Sequence, residues 1–292
     1  MDAAPYLLRL ALYLLLMLLF GRALYAHSTR APAGMAMTAL ALLLVLVDAV
    51  ARLCQVLGID LRQLDADSVR WYLLALPVGA ATLVRVAALL ALLGLQTLPR
   101  RPSMPRRLAM GLLAAVALAS LAWNGHAAAG EGLRGQLRLG AGIAHLLAAG
   151  AWLGAIAALL QQALRPQGPN LRARGRHLLD ALQGFAVPGT LIVATLALTG
   201  SYAYLDLGGS PTTLVTTAHG RWLLLKLALV AGMLLLAALH RWRLVPALQQ
   251  AVHVAWQPAP IQHLRRSLAA EALLALLVLA CVALLGTLDP LH

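Results

Sequence analysis

The residues best suited to chemistry are three histidines, two methionines and a few ionisable groups set in or beside apolar runs. Imidazole is a good ligand for copper, zinc and haem iron, and thioether sulfur selects soft Cu(I). His126 follows Gly125 at the end of one run, His145 lies about two turns inside the next, and His219 stands at the mouth of a later one. Met35 and Met37 form an M-x-M pair with His27 in the preceding gap, a candidate Cu(I) site. Residues two apart on a helix point to different faces, so core filling is the competing reading of that pair. Asp48 and Arg52 share one helical face, and Arg85 falls in the middle of the following run. Because those runs are antiparallel, Asp48 and Arg85 reach similar depths, which predicts an intramembrane ion pair that either locks two helices or belongs to an ion path. Lys226 and Glu271 lie within a turn or two of span ends, where snorkelling toward water competes with function, for Glu271 that of exit ligand or proton acceptor. His177, His240, His253 and His263 sit among arginines and read as solvated loop residues. Cys54 and Cys281 read as small buried hydrophobes, leaving neither a disulfide framework nor a CxxC metal site. No HExxH, GxSxG, P-loop or dinucleotide fingerprint occurs, so the sequence gives no support for an enzyme.

Hydropathy sets the elements that must hold these groups. With 61% apolar and 11% charged residues and a mean hydropathy of +0.81, the chain has lipid as its solvent. Apolar runs lie at about 6–26, 34–57, 70–95, 107–124, 138–162, 178–200, 218–240 and 267–287. Each can cross ~30 Å of hydrocarbon at ~1.5 Å per residue. The expectation is an all-α bundle of about eight transmembrane helices, one membrane domain over residues 1–292. The gaps carry breakers such as Pro32, Pro99, Pro166, Pro211 and Pro258. The first run reads as a retained helix, because Asp2 replaces the basic start of a signal peptide and the stretch is too long. Gly150 and Gly154 favour close helix approach.

The net charge of +13 comes from arginines concentrated in gaps between runs, where membrane topology explains them and nucleic-acid binding is not needed. One set of alternate gaps holds Arg22, Arg30, Arg100, Arg101, Arg106, Arg107, Arg165, Arg172, Arg174, Arg176, Arg241, Arg243, Arg265 and Arg266. The other holds Asp60, Asp65, Asp67, Glu131 and Asp206 with fewer cations. Arginine is retained on the cytoplasmic side, so both termini are expected on the periplasmic side of a bacterial inner membrane. His126, His145 and His219 then gather on that outer half.

Three stretches together resemble the CopD family of bacterial inner-membrane copper-handling proteins. They are Gly125-His126-Ala127 followed by Ile143-Ala144-His145 through Trp152-Leu153-Gly154; Thr199-Gly200 through His219-Gly220-Arg221 and Leu225-Lys226-Leu227; and Leu264-Arg265-Arg266-Ser267-Leu268 with Glu271. The core of the likeness covers about residues 125–288. The resemblance implies copper as the bound metal, as Cu(I) or Cu(II), a periplasmic CopC-type copper-binding partner, and movement of copper toward the cytoplasm. His126, His145, Trp152, Lys226 and Glu271 match family motifs. Gly142 stands where the family often has an aspartate, and His219 where it often has a tyrosine. In the expected path, Asp65, Asp67, Glu131 and Asp206 concentrate copper at the outer face, His126 and His145 capture it with His219, and Met35, Met37 and Glu271 lie deeper. Two alternatives stay open: a b-type haem electron-transfer protein using His126 and His145, with His126 at a helix end counting against it, and a structural assembly subunit.

Overall fold

The computed structural model describes residues 3–25, 31–98, 103–125, 130–164, 171–253 and 259–286, and every regular element among them is helical. In chain order these are α1 (Ala4–Tyr25), α2 (Ala31–Leu57), α3 (Ala66–Ala75), α4 (Pro77–Thr97), α5 (Met104–Ala119), α6 (Gly132–Leu164), α7 (Leu171–Gly184), α8 (Ala186–Asp206), α9 (Pro211–Thr216), α10 (Ala218–Leu239), α11 (Val245–His253) and α12 (Ala259–Leu285), with short 3-10 turns at Leu61–Gln63 and Ser120–Asn124. Eight segments among the described residues are long and apolar enough to cross a membrane, one for each predicted run. Alternate ends of the bundle are rich in arginine or in acid, and these names are used for the two ends below.

Two runs are divided differently from their hydropathy. The run at 70–95 breaks at Leu76, which is extended at φ −101° and ψ 135°. Proline disfavours the helical region for the residue before it and is well suited to the first helical position, so Pro77 ends α3 and starts α4. The crossing segment is therefore Pro77–Thr97, and α3 folds back so tightly that a methyl on Gly79 would lie 1.9 Å from the Tyr72 carbonyl oxygen. The run at 178–200 joins the end of α7 to the start of α8, and the crossing segment is Ala186–Asp206. α7 buries Leu178 and Leu179 and leaves Arg176 exposed, the pattern of a helix lying at an interface.

The main core draws on α1, α2, α4, α5, α6 and α12. Its closest approach is at Gly21 of α1 and Gly154 of α6: a Cβ on Gly21 would meet the Gly154 Cα at 2.3 Å. Lipid tails are as apolar as leucine, so helices associate through such close packing, and small residues permit it. A second core at the arginine-rich end joins Leu159 of α6, Leu179 of α7, Leu248 of α11 and Leu264 of α12. α10 runs into α11 through a π-helical turn at His240–Leu244, in which the Val245 N–H donates to the His240 carbonyl. Pro246 follows at once; lacking an N–H and crowding the preceding turn, it accounts for the widened helix.

Candidate functional site

Two polar stations lie on one face of α6, because His145 and Trp152 are seven residues, or about 10 Å, apart. At the first, His145 Nδ1 is 2.8 Å from the Thr199 hydroxyl on α8. That hydroxyl has one proton, which it donates to the Thr195 carbonyl at 2.6 Å. Thr199 therefore accepts from His145, Nδ1 carries the ring hydrogen, and the Nε2 lone pair is left for a ligand. Metal-binding histidines are held this way, one nitrogen donating to the protein and the other facing the metal. Gly200 of α8 faces the ring: a Cβ there would rest on Cε1 at an ordinary contact distance of 3.6 Å. Lys226 of α10 acts electrostatically on both His145 and Cys281 of α12.

At the second station Glu271, only 3% exposed, accepts from Trp152 Nε1 at 3.2 Å through one oxygen and faces His240 Nδ1 at 3.5 Å through the other. His240 Nε2 meets the Ser267 hydroxyl at 2.8 Å. Glu271 does not snorkel, and His240 is not a solvated loop residue. The π-helical turn carries His240 inward against α12, where it is 7% exposed. π-turns recur at functional sites.

Residues 1–136 match the family model for Copper resistance protein D-like, N-terminal domain, and residues 179–285 match that for Copper resistance protein D. The chain is 35% identical over 303 aligned residues to Copper resistance protein D of Pseudomonas syringae pv. tomato, an alignment covering 99% of this chain and 97% of the relative. It belongs to the copper resistance protein D family. It is also 34% identical over 166 residues to Inner membrane protein YebZ of Escherichia coli (strain K12), covering 56% of this chain and 54% of that protein. No solved structure matches. The haem alternative gains no support from these relatives. Lys226, His240, Ser267 and Glu271 fall within the C-terminal family stretch, whereas His145 and Trp152 lie between the two matched stretches.

The remaining nominated residues of this family member divide sharply. His126 lies outside the described residues, as does His27. His219 is half-buried at the start of α10, where Thr217 caps the helix by accepting from Gly220 N–H at 2.9 Å. A Cβ on Gly220 would strike the Thr213 carbonyl of α9 at 2.2 Å, and Arg221 Nε donates to the Val215 carbonyl at 3.2 Å. The Gly-Arg part of the family motif thus shapes the α9–α10 corner. Met35 and Met37 are half-buried near the start of α2, and Met37 packs on the main core. Among the described residues no three His, Cys, Asp or Glu side chains converge as a metal-binding group.

The expected Asp48–Arg85 ion pair is not the pairing that forms. Asp48 bonds Arg52 Nε at 2.8 Å, one turn along its own helix, where the contact costs least in ordering. Arg85, fully buried, turns to the fourth span: Nε donates to the Ser120 hydroxyl at 2.8 Å, and Nη2 to the Ser120 carbonyl at 2.9 Å and Asn124 Oδ1 at 3.3 Å. The acidic end is also less free than its composition implies. Asp206 accepts from Arg134 Nε at 2.7 Å and from Arg138 Nε, clamping α8 to α6. Asp65 caps α3 by accepting from Ser68 N–H at 2.7 Å, which holds its carboxyl below the usual range. These two carboxylates have structural work, leaving Asp67 and Glu131 from the set expected to attract copper.

Proposed function

We propose that this chain binds copper within the inner membrane and passes it from the periplasmic side toward the cytoplasm, as part of copper homeostasis and resistance. The observation that carries the reading is the contact of His145 Nδ1 with Thr199, whose hydroxyl is itself bonded to the Thr195 carbonyl, an arrangement that leaves the Nε2 lone pair for a metal. The family membership supplies copper as the cargo, and YebZ, an inner membrane protein by name, supports the location. With the arginine-rich end cytoplasmic, His145 lies in the outer half and receives copper together with His126, with His219 at the rim. A periplasmic CopC-type protein is the donor that such an outer site requires.

Passage inward needs ligands that release as well as bind. Glu271 with His240 stands about 10 Å further along the same face of α6, with Ala148 and Ala149 between the two stations. Met35 and Met37 supply thioethers at the arginine-rich end of α2, suited to Cu(I).

The deciding experiment measures copper retained by the purified protein in detergent, by elemental analysis and chelator competition, for wild type, His145→Ala and a His126→Ala, His145→Ala double variant. Copper held by wild type and lost in stages by the variants supports the outer site. Equal, low copper in all three would overturn it.

A further inference from the structure

We propose that Arg85 and Asn124 form a buried binding site for a small monovalent anion of the chloride class, between α4 and the 3-10 turn ending the fourth span. A guanidinium does not lose its proton in a protein, and a buried cation without a counter-charge is costly. Asp48 is the one carboxylate of the first four spans, and it is already bonded to Arg52. Arg9 and Arg52 act on the same electrostatic neighbourhood as Asp48, so three arginines face one aspartate. Among the described residues Arg85 therefore has no carboxylate of its own, in a region of low dielectric.

Hydrogen bonding shows what is missing. Among the described residues Arg85 Nη1 and Asn124 Nδ2 are both buried and have no partner. They belong to side chains in contact, since Nη2 of the same guanidinium meets Asn124 Oδ1 at 3.3 Å. Ser120 cannot serve either of them: its hydroxyl accepts from Arg85 Nε and donates to the Ala117 carbonyl at 2.8 Å, and its own carbonyl takes Nη2. Both orphan atoms are donors, so the absent partner is an acceptor, and the local charge requires it to be negative. Water satisfies the first condition and fails the second. A halide, which accepts from any direction, satisfies both. The proposal does not depend on the copper reading.

The test is thermal unfolding of the full chain in detergent, in potassium chloride and in potassium gluconate at equal ionic strength, for wild type, Arg85→Gln and Asn124→Asp. Wild type is expected to gain about 2–5 °C in chloride, saturably, with bromide acting alike. Asn124→Asp, which supplies acceptor and charge from within, should unfold at the same temperature in both salts. Arg85→Gln should lose the chloride response, and if it does not fold the aspartate variant still decides. A wild type indifferent to chloride would show that only water fills the site, and an Asn124→Asp variant retaining the full chloride gain would place the anion elsewhere. Either result overturns the proposal.

Discussion

At Thr199 one hydroxyl both completes its own helix and fixes the ring of His145 on another. Thr199→Val removes the acceptor for Nδ1 and frees the ring to turn. Copper affinity is expected to fall ~10–100-fold, the usual effect of losing a ligand's outer partner, while folding is kept and Thr199→Ser restores binding. Competition with a chromophoric Cu(I) chelator measures it. At the second station His240→Ala leaves a Glu271 oxygen and the Ser267 hydroxyl without their shared partner. A loss of about 1–2 kcal/mol is expected by reversible unfolding in mixed micelles, with a smaller loss for Ser267→Ala. His145 and Glu271 were legible in the sequence as polar groups inside apolar runs. Their partners were not: Thr199 and His145 are 54 residues apart, and nothing local to either announces the pairing. His240 was readable in principle, since it directly continues the apolar run of α10, but the arginines that follow it gave it the look of a loop.

Among the elements, span number and order follow directly from hydropathy, because in lipid a helix is the only local way to satisfy the backbone. Breaks inside runs follow from smaller signals. Pro77 lies in an uninterrupted apolar stretch, so its effect on Leu76 is invisible to composition and plain once the backbone geometry of a pre-proline residue is considered. The π-helical turn before Pro246 has the same origin. Gly150 and Gly154 announced a close contact, but not that Gly21 of α1 would be its other half. Gly154→Leu is expected to push α1 from α6 and lower stability by about 1–3 kcal/mol. Gly94→Ala, where a Cβ meets nothing within 4 Å, should stay within ~0.5 kcal/mol of wild type. Unfolding midpoints of the two purified variants, compared side by side, check both.

For the molecule as a whole, the segregation of arginine to alternate gaps predicts that the arginine-rich end is cytoplasmic. An exported phosphatase reporter fused after Asp60, Glu131 or Gly208 should be active, and fused after Arg101, Gly168 or Gln257 inactive. The opposite pattern would reverse the direction of copper passage argued above. On the proposed path the two stations on α6 also make a joint demand, since copper at His145 would advance only if Glu271 and His240 gave up contacts they make with each other. Release at the second station is therefore coupled to the packing of α6, α10 and α12, the three helices that contribute to it.

α1 leaves the ribosome early, yet the notch at Gly21 is filled by α6, and Arg9 reaches Gly286 just beyond α12. The early part of the chain thus waits, already inserted, for helices made much later. A ribosome that stops after the fourth span delivers a protein that is in the membrane but unclosed, with a glycine cleft open to lipid. Closure at Gly21 comes with the fifth span and closure at Arg9 only with the last, so the bundle is sealed in the order in which its helices are made.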